Sequence, residues 1–354
     1  MQEVASDLQI PRPRRRRQSP TERWLRRGAV LLVLSGGCAV LLFQLSHTLQ
    51  NLGLFAGATV PLDLQVLPEA IVDSQYLPRP ELARGEQLVA LEAAMHKLTQ
   101  QPRLRSGFLF FDPATGAYAQ MAADESFSAA SVIKVPVLVE LMRQVDGGSV
   151  RLDEVLTLKA AHKGGGSGWL QYRPNGTRMS VLAVATLMII RSDNTATNMI
   201  IDRLGGAAYL NEQFRRWGLR RTVINAPLPD LEGTNTTSPG DLALLMSELD
   251  RGELTSPQGR TVAYGLMGRT RIGSLLPMGL GPGARILHKT GDIGKMVGDV
   301  GVVTTPDGRR YLATALVERP HNDRRANQLI AKLSQAFYHV FANTHRLGTV
   351  PRKT

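Results

Sequence analysis

The strictest demand on this chain is set at Ser131-Val132-Ile133-Lys134, where a lysine stands at the mouth of an apolar run. The stretch Phe127-Ser128-Ala129-Ala130-Ser131-Val132-Ile133-Lys134-Val135-Pro136-Val137-Leu138 passes from small residues into what reads as the opening of a buried helix. Helix positions i and i+3 share a face, with Cβ atoms about 5–6 Å apart. Lys134 is therefore predicted to come up beside the Ser131 hydroxyl. A lone serine is a poor nucleophile near neutral pH and needs an adjacent base. A lysine serves as that base once desolvation and nearby charge lower its pKa, and a helix N-terminus offers N–H groups to a developing oxyanion. In isolation the tetrad reads more simply, as an N-cap serine followed by a solvated first-turn lysine.

Two further motifs change that reading. Ser192-Asp193-Asn194 and Lys289-Thr290-Gly291 each occur once. From average residue usage, Ser-x-x-Lys arises by chance roughly once in a chain of this length, and each tripeptide in about one such chain in twenty. Taken singly, Ser-Asp-Asn is also a plain capping turn, and Lys-Thr-Gly a strand end. The three together, in this order and rough spacing, resemble the class A β-lactamases and their penicillin-binding relatives. The resemblance covers about residues 84–343.

That resemblance implies a fold and a set of roles. The fold is α+β: a five-stranded antiparallel sheet flanked by helices, beside an all-helical lobe, with the site in the cleft between them. Ser131 would attack the carbonyl of a β-lactam or a D-Ala-D-Ala-like substrate to give an acyl-enzyme, and Lys134 would help take its proton. Ser192 and Lys289 would relay a proton to the leaving nitrogen, with Lys289 also attracting the substrate carboxylate. Asn194 would hold Lys134 and bond the substrate's side-chain amide. Thr290 would bind the carboxylate, Gly291 belongs to the same strand motif, and the N–H groups of Ser131 and Asp292 would form the oxyanion hole. Trp169 and Tyr172 fall where the family often has an aromatic at the cleft mouth; core packing is the competing reading. No cofactor or metal is implied, since the seven histidines show no ligand spacing.

The pattern breaks at one place. Class A enzymes deacylate with a glutamate on the loop that follows Ser-Asp-Asn, and the family's Glu-x-x-Leu-Asn is not present. The corresponding stretch, Asn225-Ala226-Pro227-Leu228-Pro229-Asp230-Leu231-Glu232-Gly233-Thr234-Asn235, leads into Thr236-Thr237-Ser238-Pro239, which matches the family's loop exit. The loop thus reads as shortened, with Asp230 and Glu232 as its carboxylates. Acylation is better supported than deacylation. A membrane-tethered hydrolase of the β-lactamase type, a penicillin-binding enzyme acting on peptidoglycan stems, and a catalytically idle sensor remain as the readings.

Charge and hydropathy organise the rest. Residues 1–27 hold eight Arg against three acids, a net of +5 within the chain's +12. Arg346, Arg352 and Lys353 make a second basic segment over 344–354, which leaves the body mildly basic, with no nucleic-acid footprint expected. Gly28–Leu45 is eighteen residues without a formal charge, near the minimum for a bilayer span. Arginines before it orient the N-terminus to the cytoplasm. A basic cytoplasmic arm (1–27), a transmembrane anchor (28–46), a proline-bearing tether (47–83) and a monomeric catalytic body outside the cytoplasm (84–343) are expected. The alternatives are signal-peptide cleavage near Ala56-Gly57-Ala58, lipid attachment at Cys38, and a buried core helix.

Within the body, apolar spacing predicts a helix over Arg84–Gln100 and another over Asn322–Phe341. Phe108–Phe111 with Ala117–Gln120, and Gly301–Val303 with Tyr311–Val317, read as hairpins about Asp112–Gly116 and Pro306-Asp307-Gly308. The middle, Ser131–Leu276, reads as mostly helix with Gly/Pro joints. The run Gly164–Gly168 lacks the following Lys-Ser/Thr of a phosphate loop.

Overall fold

A computed structural model of the chain describes residues 80–343. The expected arm, membrane span and basic tail, and most of the tether, lie outside the described residues. Among the described residues no helix is long and apolar enough to cross a membrane.

In chain order the body opens with helix α1 (Val89–Thr99), then strands β1 (Arg105–Phe111), β2 (Tyr118–Met121) and β3 (Phe127–Ser128). Helix α2 (Lys134–Asp146), strands β4 (Val155–Thr157) and β5 (Arg178–Ser180), and helices α3 (Val181–Ile190), α4 (Asn194–Arg203) and α5 (Gly206–Arg216) follow. After β6 (Thr236–Thr237) come α6 (Pro239–Arg251) and α7 (Pro257–Met267), and the chain closes with β7 (Arg285–Asp292), β8 (Met296–Thr304), β9 (Arg310–Glu318) and α8 (Arg325–Asn343).

The main sheet has five strands in the order β2-β1-β9-β8-β7, every neighbour antiparallel. Both expected hairpins form. At the first, Asp112 accepts from the Ala114 N–H and the Thr115 hydroxyl, and Gly116 turns at φ +78°. Successive strand residues face opposite sides, and the sheet uses this to join two cores. Phe108, Phe110, Tyr311, Ala313, Ala315 and Val317 pack under α1 and α8. Leu109, Phe111, Leu312 and Leu316 join the core shared with the helical lobe. On the α8 side, Phe337 lies with its ring centroid 5.1 Å from Phe110 and 4.9 Å from Tyr311.

In the helical lobe, every residue of α2 from Lys134 to Met142 is buried, the pattern of a helix enclosed on all sides. Its neighbours start where a side chain meets the first free N–H groups: Ser180, Asp193, Ser238 and Ser256 each accept from the residue three ahead. Proline follows the cap in α6 and α7, where its missing N–H is harmless.

Three departures from the sequence reading have local causes. Helix α1 starts at Val89 because Gly85 and Leu88 donate instead to the carbonyls of Gly116 and Tyr118, along the edge of β2. The middle region carries two small two-stranded sheets, β3–β6 and β4–β5, too short to show a period. The serine tetrad forms a 3-10 turn, Ala130–Ile133, before α2 begins at Lys134.

Candidate active site

Four elements converge on Ser131. It sits in the 3-10 turn between β3 and α2, entered through Ala130 at φ +43°, a left-handed conformation rare for alanine. Lys134, one turn on, is fully buried. Its Nζ lies 3.0 Å from Ser131 Oγ, 2.6 Å from the Ser192 carbonyl, 3.1 Å from Ser192 Oγ and 2.9 Å from Asn194 Oδ1. Burial, and then the charge of Lys289, hold this amine well below the usual lysine range, with Asp193 opposing. A neutral amine has two hydrogens and one lone pair. The carbonyl of Ser192 and Oδ1 of Asn194 can only accept, so they take the two hydrogens. The lone pair is left for the proton of a neighbouring hydroxyl, that of Ser131 or Ser192.

Ser192 lies in the connection between α3 and α4 at φ +54°. Left-handed backbone at a non-glycine residue costs about 1–3 kcal/mol and persists where surrounding contacts over-determine it. Here the strained turn puts Ser192 Oγ 3.1 Å from Lys134 Nζ and 3.1 Å from Lys289 Nζ. Lys289 reaches in from β7, buried, and also donates to the Thr290 carbonyl at 2.7 Å. Burial pushes its pKa down to about 8, against the raising influence of the Asp299 carboxylate. The arrangement is a hydroxyl bridging two amines, one of them facing the Ser131 oxygen.

Asp193 is the middle of its motif for a structural reason. Oδ1 caps α4 at the Ala196 N–H, while Oδ2 accepts from the N–H groups of Trp169 and Leu170. A Cβ on Gly168 would come within 2.2 Å of this carboxylate. The glycine run therefore makes a close contact with the Asp193 turn. Asn194 completes it, donating from Nδ2 to the Gly165 carbonyl at 2.9 Å. Trp169 and Tyr172 are 39% and 80% exposed, so neither is a core residue.

Gly291 passes against the Ser131 turn: a Cβ there would meet Ser131 N at 2.8 Å. Thr290 is buried beside it. Asp292, the last residue of β7, turns its carboxylate away to Arg319, which donates from Nη2 at 2.6 Å. The structure thus joins Ser131, Lys134, Ser192, Asn194 and Lys289 in one hydrogen-bonded network. It sets Thr290 and Gly291 alongside, and ties the Asp292 side chain elsewhere.

The loop between α5 and β6 does not bring a carboxylate into that network. Asp230 is buried and folded onto its own loop, accepting from the Thr234 hydroxyl at 3.0 Å and the Asn235 N–H at 2.6 Å. Glu232 is 87% exposed and pairs with Lys295 at 3.4 Å.

Sequence reasoning missed two supports. Arg319 is buried and holds the β7–β8 turn through the Gly294 carbonyl as well as Asp292. Nothing in its local sequence marks it. His288 and Asp299 form a buried pair at 2.9 Å across β7 and β8. His288 adjoins Lys289, a neighbour that could have drawn attention. Among the described residues no group of three or more His, Cys, Asp or Glu side chains is placed to hold a metal ion.

A family model described as the beta-lactamase enzyme family matches residues 90–341. The chain is 25% identical to the extended-spectrum beta-lactamase PER-1 of Pseudomonas aeruginosa over 232 residues, 60% of this chain and 75% of that one. Among solved structures it is similar to PBP-A, at 49% identity and a TM-score of 0.73, over 74% of this chain and 99% of PBP-A. An L158E mutant of PBP-A, solved as an acyl-enzyme complex with penicillin G, matches at 48% identity and a TM-score of 0.72, over 75% of this chain and all of that one.

Proposed function

Because this chain belongs to the beta-lactamase enzyme family of serine hydrolases, we propose that it is a membrane-tethered acyl-transfer enzyme whose Ser131 is acylated by β-lactams and released slowly. One observation carries the reading: the fully buried Lys134 amine lies 3.0 Å from Ser131 Oγ, its pKa held well below the usual lysine range by burial and by Lys289. Neutral Lys134 takes the Ser131 proton as Oγ attacks the amide carbon. The N–H groups of Ser131 and Asp292 receive the negative charge. Lys134 then returns its proton through Ser192, with Lys289 beside it, to the leaving nitrogen. Thr290 and Lys289 hold the substrate carboxylate, and Asn194 keeps Lys134 aimed.

Slow release follows from the loop. Deacylation needs a base within about 2.6–3.2 Å of an attacking water, and both loop carboxylates are engaged away from Ser131. The likeness to PBP-A, whose mutant was captured as a penicillin acyl-enzyme, favours a natural substrate of the D-Ala-D-Ala type. For location, the charge-free span after eight arginines supports an anchor with the catalytic body outside the cytoplasm.

Intact-mass measurement with benzylpenicillin tests the chemistry. One acyl group should add to the wild-type protein and none to Ser131→Ala. No adduct on the wild type, or an equal adduct on the variant, sinks the assignment. Terminal sequencing by mass spectrometry in membrane fractions tests the anchor; a soluble form beginning near Thr59 would favour cleavage.

A further inference from the structure

The hydrogen-bonded network of Ser131 ends at Lys289, and the sheet sets a buried carboxylate behind that lysine. Strands β7 and β8 pair His288 with Gly301, Lys289 with Val300 and Thr290 with Asp299. Successive strand residues face opposite sides. Val300 joins the core shared with the helical lobe, whereas Val297 and Val303, in step with Asp299, join the core under α8. Lys289 therefore points to the lobe, and His288 and Asp299 lie on the other face of the same two strands. All three side chains are buried.

Asp299 is held without a strong cation. It accepts from His288 Nδ1, at 2.9 and 3.1 Å to its two oxygens, and from the Leu276 N–H at 3.2 Å. Among the described residues no lysine or arginine pairs with it, and His288 is its one ion-pair partner. Room for the imidazole is built into the ladder, since a Cβ on the facing Gly301 would meet His288 Cβ at 2.7 Å. The Thr270 hydroxyl fixes the strand there, donating to the His288 carbonyl at 2.8 Å. An ordinary imidazole is neutral above about pH 7, so it supplies a hydrogen without cancelling the carboxylate's charge. With no water between the strands, that charge is poorly screened from Lys289.

The other charges around Lys289 do not do the same work. Lys134 faces it from α2 across the Ser192 hydroxyl, and Asp193 bears on Lys134. Asp292, at the end of β7, is paired with Arg319. Arg269 and Arg271, on either side of Thr270, and Lys332 on α8 are exposed to solvent. The core under α8 also holds Tyr311 and Tyr338, phenols that are uncharged near pH 8. Asp299 remains, and its charge raises the Lys289 pKa against the effect of burial. We propose that Asp299, oriented by His288, is a positioning residue that keeps Lys289 charged for the acylation step, acting through the β7–β8 ladder without touching substrate. The assignment rests on the acyl-transfer reading of Ser131 and adds the group that decides when Lys289 can serve it.

The test follows the second-order rate of acylation of the full-length protein by a chromogenic β-lactam from about pH 6 to about pH 10, beside a thermal melt. Asp299→Asn keeps the side chain's shape and one acceptor oxygen but removes the charge. Its alkaline limb should move down by about one pH unit, the scale of one opposite charge. A lysine half charged at pH 8 then falls to about a tenth, so the rate drops about fivefold there and hardly changes at pH 6. His288→Lys sets an ammonium against Asp299 and should move the limb the same way, which keeps the proposal open to refutation if Asp299→Asn does not fold. Arginine at 289 stays charged throughout, so in a Lys289→Arg background Asp299→Asn should shift nothing. A structural role alone would lower the rate equally at every pH, and that result overturns the assignment. So does a limb that stays in place in either folded variant, or one that moves as far with arginine at 289. A wild type that acylates with no alkaline limb near 8 removes the role of Asp299 alone, whereas a wild type not acylated at any pH removes the acyl-transfer reading itself.

Discussion

A methyl group on Gly291 would sit 2.8 Å from the backbone nitrogen of Ser131 and 3.0 Å from that of Val132. Strand β7 therefore runs against the Ser131 turn at backbone distance, which only a residue without a side chain allows. The Lys-Thr-Gly motif thus combines a buried cation, a hydroxyl and a close approach on three consecutive residues of one strand.

Gly291→Ala should damage acylation far more than folding. Gly291 is not among the glycines with positive φ, so alanine suits the strand and only the contacts with the Ala130–Val132 turn are violated. Relieving those contacts displaces β7 or the turn, and a misplacement of about 1 Å costs on the order of 10²-fold in rate. Stopped-flow acylation by a chromogenic β-lactam, set beside a thermal melt, checks this. A wild-type rate in the variant would mean that the close approach serves packing alone.

The pH profile of acylation should fall on its alkaline side near 8. In the proposed mechanism Lys289 stays charged to attract the substrate carboxylate, and its pKa is pushed down to about 8 by burial. Stability moves the other way. The folded-state pKa lies below the unfolded value of about 10.4, so between those limits the unfolded chain binds more protons and folding gains as pH rises. Activity lost while the melting temperature holds or climbs distinguishes titration from unfolding. Lys289→Arg keeps its charge throughout and should carry the alkaline limb upward, at some cost in rate from the changed geometry.

Much of this site was legible because its parts are local. Ser131 and Lys134 are one turn apart, and Asp193 caps a helix that its own motif begins. The hairpins, too, declared themselves through turn residues such as Asp112 and Gly116. Arg319 was not legible, because it reaches Asp292 across 27 residues of chain through a bond that only the sheet's register creates. Burial decided the electrostatics as well: the sequence places a lysine near an apolar run, but only packing removes water from it.

The two loop carboxylates should separate cleanly. Asp230→Asn weakens two hydrogen bonds that close the loop, to Thr234 and Asn235, and should destabilise the protein by about 1–3 kcal/mol. Glu232→Gln removes an exposed ion pair, a class of contact that contributes little, and should leave the deacylation rate as it was. Turnover of a chromogenic β-lactam after the first equivalent reads both. Fast turnover that disappears in Glu232→Gln would identify Glu232 as the base and refute the slow-release reading.

Ser192→Ala isolates the bridge between the two amines. Lys134 keeps the Ser192 carbonyl and Asn194 Oδ1, and Lys289 keeps the Thr290 carbonyl, so both lysines stay in place. What is lost is the hydroxyl 3.1 Å from each Nζ, and with it the route for a proton to the leaving nitrogen. Removing a positioned proton-transfer group typically lowers the rate 10²–10⁴-fold, and acylation should fall within that range. Ser192→Gly removes the same hydroxyl but relaxes the left-handed backbone at φ +54°. It should match the alanine variant in acylation rate and exceed it in melting temperature. If the glycine variant melts lower than alanine, the turn is not strained. If either variant acylates at the wild-type rate, the proton reaches the leaving nitrogen by a path that bypasses Ser192.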